Sequence, residues 1–165
     1  MQTRRKSYME LLTANQKDVD RYNEKMLSAE ALIGLVLMIL PLLSSPFSYT
    51  KQNAVPVYLL AFVLYCTLFF VFKLPLMKKY TLAGLYISFA VFFSLAIYLS
   101  VIHSPHMRAT ILLGAFCITP LGFIDRPVRL NTFAAFWFVV HTVLAFQFKP
   151  QYAWDDTINC LCFAI

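Results

Sequence analysis

Charge is scarce in this 165-residue chain: Asp, Glu, Lys and Arg together make up 13% of it, and only eight residues are acidic. Glycine is scarcer still, with four in the whole sequence and no two adjacent. Neither the phosphate-cradling GxxxxGK[ST] loop nor GxGxxG occurs, and HExxH and GxSxG are also missing. Nucleotide-binding and hydrolase readings therefore have no residues to stand on. No GxxxG face exists either; Gly84 and Ser88 form the nearest small-xxx-small pair. Tandem repeats at solenoid periods and low-complexity tracts are absent.

What fills the chain is apolar. Hydrophobic residues reach 60%, against roughly 45–50% in soluble domains, so lipid rather than a buried core is the expected solvent. Five long uncharged runs stand out, Ala31 to Thr50, Gln52 to Phe72, Tyr80 to Met107, Ala109 to Ile124 and Leu130 to Phe148, followed by Thr157 to Ile165. About 20 apolar residues cross a bilayer. The expected fold is thus an all-α polytopic bundle. Its spans are placed at about 27–47, 54–72, 81–102, 108–124 and 130–148, with 157–165 as an incomplete sixth, after a cytoplasmic amphipathic helix in residues 1–26. The nine residues from Thr157 to Ile165 would make about 13 Å of helix, less than half the hydrocarbon thickness. That points to a fragment or a truncated frame.

The basic residues alternate between the gaps. Six precede the first run (Arg4, Arg5, Lys6, Lys17, Arg21, Lys25), three lie in Lys73 to Lys79, and two are Arg126 and Arg129; the other gaps hold only Lys51, Arg108 and Lys149. The positive-inside rule then sets the N-terminus in the cytoplasm. The net charge of +6 fits an anionic inner leaflet. It forms no stripe suited to nucleic acid. About 26 polar residues before the first run argue against a cleaved signal peptide.

The segment from Ser7 to Leu27 has no Gly or Pro and reads as one helix running into the first span. Tyr8, Leu12, Val19, Tyr22 and Met26 fit a heptad-like seam if Asn15 fills the vacant position, which suits either an interfacial amphipathic helix or a homodimer contact. Glu30 is read as an acid favourably placed near a helix N-terminus.

Cys66, Cys117, Cys160 and Cys162 all fall inside expected spans and read as small core residues, the last two on different helix faces. His103 and His106 share the outer side with Asp155 and Asp156, so two imidazoles and two carboxylates are available there for sensing protons or a ligand. His141 lies within the fifth span, where an ionisable group faces protein or a cavity. A neutral, hydrogen-bonded role in helix contacts suits it. No resident metal or cofactor is expected. The 27 aromatics, 16 Phe, nine Tyr and two Trp, suit helix contacts, with an apolar ligand pocket as the alternative.

The most distinctive string is Pro120-Leu121-Gly122-Phe123-Ile124-Asp125-Arg126-Pro127-Val128-Arg129. Pro127 disfavours helix at Arg126 and forces a turn; Asp125 is placed to accept from the amides opening the next helix; both arginines reach lipid phosphates. Asp125, Arg126, Pro127 and Arg129 are thus expected to form a rigid structural hairpin. With Leu130-Asn131, Phe148-Lys149-Pro150 and the stretch from Asp156 to Asn159, this string resembles the six-span membrane sensor region of bacterial GGDEF-type signalling proteins. The likeness extends over roughly Tyr22 to Ile165.

That resemblance implies a sixth span leading into a cytoplasmic domain that dimerises and condenses two GTP molecules into cyclic di-GMP with Mg²⁺. Neither GGDEF nor GGEEF occurs in this chain. The expectation is a non-catalytic input module in the bacterial cell membrane, answering to an unknown small-molecule signal. A small multi-span transporter or channel-like protein is the alternative.

Overall fold

The computed structural model describes residues 8–47, 54–103, 114, 115, 117 and 121–164. Among them all regular structure is helical, with no strand. Six α-helices follow in order: α1 (Tyr8–Ala14), α2 (Gln16–Ser44), α3 (Val55–Val71), α4 (Thr81–Ile97), α5 (Pro127–Phe148) and α6 (Ala153–Ala164). Short 3₁₀ turns cover Ser45–Phe47 and Pro75–Tyr80, and α4 widens into a π-helix at Tyr98–His103.

Three helical stretches are long and apolar enough to cross a membrane: Gln16–Phe47 with 32 residues, Pro75–His103 with 29 and Pro127–Phe148 with 22. Helix α3 has 17 residues, about 25 Å at 1.5 Å each and slightly short of a ~30 Å hydrocarbon layer. Ten of the seventeen residues of the expected span at 108–124 lie outside the described residues.

Local sequence accounts for the boundaries. Leu74 and Arg126 each precede a proline and are extended, with ψ of 132° and 128°, because the proline ring crowds the helical region of the residue before it. Pro127 then opens α5 where a missing N–H costs nothing. At the end of α2, Ser44 and Ser45 donate to the carbonyls of Pro41 and Leu42 at 3.2 and 2.8 Å, satisfying acceptors that the helix terminus leaves open. Contrary to the expected single N-terminal helix, a break at Asn15 separates α1 from α2. From Gln16 onward the helix runs unbroken through Leu27 and past Pro41.

Helix α2 buries one narrow stripe, Asn23, Leu27, Ala31, Gly34 and Met38, at the spacing of one helical face. Its other faces stay apolar but uncovered, with Leu32, Ile33, Val36, Leu40 and Leu43 all exposed. Gly34 allows α3 to approach: a Cβ there would lie 2.5 Å from the Tyr65 ring. Gly84 does the same for Phe72 and Leu27, at 2.6 and 2.8 Å. The Gly84–Ser88 pair is thus consumed within the chain, since the Ser88 carbonyl also accepts from Tyr65 Oη at 3.2 Å.

These contacts fix direction. Along α2 from Leu27 to Gly34 the partners on α3 run backwards from Phe72 to Tyr65, while those on α4 run forwards from Gly84. Helices α2 and α4 are therefore parallel and α3 antiparallel to both. Helix α5 follows α4 in parallel, because Tyr86 meets Phe133 and Phe93 stacks on Trp137 with ring centroids 5.7 Å apart. One core cluster is built around this aromatic ladder, joined by Phe89 and Phe123, and a second lies between α2 and α3. Helix α4 is central, and the bundle has two distinct polar ends.

Candidate functional site

At one end, residues 121–126 form the link into α5 and lie against the start of α2. Asn23, only 4% exposed, reads Ile124 as a second strand would: its Nδ2 donates to the Ile124 carbonyl at 2.9 Å while its Oδ1 accepts from the Ile124 amide at 2.9 Å. Tyr22 Oη donates to the Leu121 carbonyl at 3.3 Å and Tyr8 Oη to the Asp125 carbonyl at 3.4 Å. The tyrosines of the expected seam thus both reach the hairpin of their own chain. Leu12 and Val19 line the cleft beside it.

Asp125 is buried, and its carboxylate accepts from Tyr86 Oη at 2.7 Å and lies 3.7 Å from Arg129. The expectation that it would accept from amides opening the helix is corrected. Arg126, not Asp125, occupies the N-cap position, and Tyr86 from α4 takes the carboxylate instead. Nearby, Lys78 pairs with Glu24 at 3.2 Å on the surface. Lys78, Lys79, Arg126 and Arg129 share a polar cleft of about 460 Å³ with Asp20 and Glu24.

The opposite end is dry. Lys149 Nζ donates to Asp156 Oδ2 at 2.6 Å, and the two side chains are 0% and 1% exposed. It also donates to the Ser100 carbonyl at 3.3 Å, inside the π-helix, so one ammonium ties together α4, the end of α5 and α6. Lys149, counted among the charges of an outer gap, is thus buried rather than solvent-facing. The α5–α6 turn folds it inward against Tyr152, whose ring centroid is 5.8 Å away. Asp156, one of the four residues expected to converge outside, is spent on this pair, whereas Asp155 is exposed. His103 stacks on Tyr98 at 6.0 Å, and His106 lies outside the described residues. No cluster of three or more His, Cys, Asp or Glu suited to a metal occurs among the described residues.

His141 is completely buried, about two turns from Lys149 on α5 and within Coulombic reach of both members of the pair. Among the described residues neither ring nitrogen has a hydrogen-bond partner, where a hydrogen-bonded role was expected. Trp137 Nε1, Thr142 Oγ1 and Thr157 Oγ1 have no partner among the described residues either. Buried polar atoms left this way are rare in folded proteins and require an explanation. All four cysteines are free; Cys160 is buried, while Cys117 and Cys162 are exposed rather than in the core.

Two features escaped sequence reasoning. The Asn23 clamp looks like any polar residue of a charged helix. Glu30 was assigned to a helix N-terminus, but α2 begins at Gln16, so Glu30 sits deep in a continuous helix and the helix dipole does not account for it.

The architecture defines an all-helical bundle with three helices of membrane-crossing length. No family model, curated protein or solved structure matches the chain.

Proposed function

We propose that the chain is the membrane-embedded input module of a bacterial signalling protein, in the cyclic di-GMP pathway by its resemblance to GGDEF-associated sensor regions. In this reading it crosses the cell membrane several times, with five spans and the start of a sixth. The N-terminus is cytoplasmic, and the chain catalyses nothing by itself. The supporting observation is the clamp of Asn23 on Ile124. It joins the start of α2 to the 121–126 hairpin, which Tyr86 of α4 also holds through the Asp125 carboxylate, so a change in the bundle moves the segment that would carry the signal. A ligand acts on such a body only by favouring one helix arrangement over another.

The orientation follows from the distribution of Lys and Arg, with Lys73 to Lys79 and Arg126 to Arg129 on the cytoplasmic side. The reading frame beyond Ile165 tests the signalling role: completion of a sixth span followed by a GGDEF string is expected, and unrelated sequence overturns it.

One set of residues favours a transporter or channel as the second reading. Glu30 on α2, His141 on α5 and the Lys149–Asp156 pair are ionisable groups within the bundle, the usual mark of a conduction or proton pathway. Proton or solute flux into proteoliposomes that is lost in His141→Phe supports this alternative, and no flux excludes it.

A further inference from the structure

We propose that the groove between α2, α3 and α4 is a binding site for a single-chain amphiphile with a cationic amine head, held by Glu30. The groove has a volume of about 170 Å³ and is lined by Glu30, Ile33, Leu37, Tyr65, Phe89 and Phe92. Drug-sized ligands usually occupy about 300–1,000 Å³, so this space suits a small headgroup and the first carbons of a chain. The rest of the chain lies along the exposed apolar face of α2 at Ile33, Leu37 and Leu40.

Glu30 sets the charge of the ligand. It stands six residues, about 9 Å, beyond Glu24, and Glu24 with Lys78 marks the polar boundary at the hairpin end. From Glu30 to Ser44, and throughout α3 and α4, no other charged side chain occurs. The half-buried carboxylate has no hydrogen bond or ion pair within the described residues. Tyr65 offers it none, because its hydroxyl donates to Ser88. An unpaired carboxylate in an apolar setting is costly, and an ammonium that supplies both charge and donors relieves that cost. Phe89 and Phe92 line the groove with it, and aromatic rings there favour a cation further. Neutral alcohols and lipid tails fill the same space without this gain.

The site also touches the hairpin. A Cβ on Gly122 would lie 2.9 Å from Glu30 Oε1 and 2.4 Å from Phe89 Cζ, so only glycine lets residues 121–126 close over this edge of the groove. An amine that draws Glu30 toward itself therefore changes the contact at Gly122, two residues from the Asn23 clamp. This deepens the input-module reading by naming a ligand class. Binding itself requires only the membrane bundle, so it is measured without any output domain.

The test uses the full chain in phosphatidylcholine nanodiscs, with radiolabelled dodecylamine or dodecanol in equilibrium dialysis and empty discs subtracted. One saturable site per chain is expected, with dodecylamine bound about tenfold more tightly than dodecanol, a difference of about 1.4 kcal/mol. Glu30→Gln, nearly isosteric, should abolish the preference and leave dodecanol binding unchanged. Ile33→Trp, at an exposed position on the groove wall, should weaken both probes. Equal affinities in the wild type, an amine preference that survives Glu30→Gln, or two probes indifferent to Ile33→Trp would each overturn the proposal. The reading-frame test of the signalling role reads out separately, so failure here does not decide it.

Discussion

The two ends of the bundle hold α5 in place in different ways. At the hairpin end, α1 and α2 hold the link into α5 through neutral hydrogen bonds, Asn23 to Ile124, Tyr22 to Leu121 and Tyr8 to the Asp125 carbonyl, and Tyr86 of α4 donates to the Asp125 carboxylate, beside an open polar cleft. At the other end a single buried ion pair, Lys149 with Asp156, is held on the Ser100 carbonyl of a π-helix. Neutral hydrogen bonds each contribute modestly. In a fully buried ion pair, losing one partner strands a charge. The hairpin end is thus built to rearrange and the Lys149 end to stay put, an asymmetry suited to a module that passes changes in one direction.

The sharpest way to break this contrast is to remove half of the buried pair. Lys149→Met should destabilise the bundle by about 3–5 kcal/mol in a denaturation series in mild detergent. The double variant Lys149→Met with Asp156→Leu should recover most of that loss. Next in size is Asn23→Leu, which leaves both the amide and the carbonyl of Ile124 without partners and should cost about 2 kcal/mol. Hydrogen exchange should rise across 121–126 and stay unchanged at 149–156; an increase at both ends would erase the distinction.

Tyr86→Phe removes the donor to the Asp125 carboxylate and should cost about 1.5 kcal/mol, with exchange again confined to the hairpin end. The smallest effect belongs to Lys78→Ala. Its pair with Glu24 is roughly half exposed, so the loss should stay below about 1 kcal/mol and fall further as salt is raised. The Lys149 variants should show no such salt dependence.

Helix content and the three longest apolar helices were legible because periodicity and run length are properties of the local sequence. So was the extended residue at Arg126, since Pro127 imposes it. That Cys160 and Cys162 lie on different faces followed from their spacing on a helix, although Cys162 is exposed rather than in the core as expected. Partnership was not legible. Asp125 was assigned to nearby amides, but its partner Tyr86 lies 39 residues away. Lys149 was counted among surface charges because nothing in Phe148-Lys149-Pro150 reveals that the following turn folds Asp156 back onto it. Glu30 was misjudged for a subtler reason: its position was judged from the start of the apolar run at Ala31, although α2 begins fifteen residues earlier, in the polar segment that runs into the span. The expected convergence of His103, His106, Asp155 and Asp156 assumed that loops on one side meet, whereas one of the four is claimed by a lysine from the end of α5.

The account ultimately depends on the two ends facing opposite sides of a membrane. Reporter fusions placed after Lys79, after Arg129 and after Pro150 in growing cells measure this directly. A cytoplasmic signal at the first two and an external signal at the third is predicted. An external readout at Lys79 or Arg129, or a cytoplasmic one at Pro150, would contradict it.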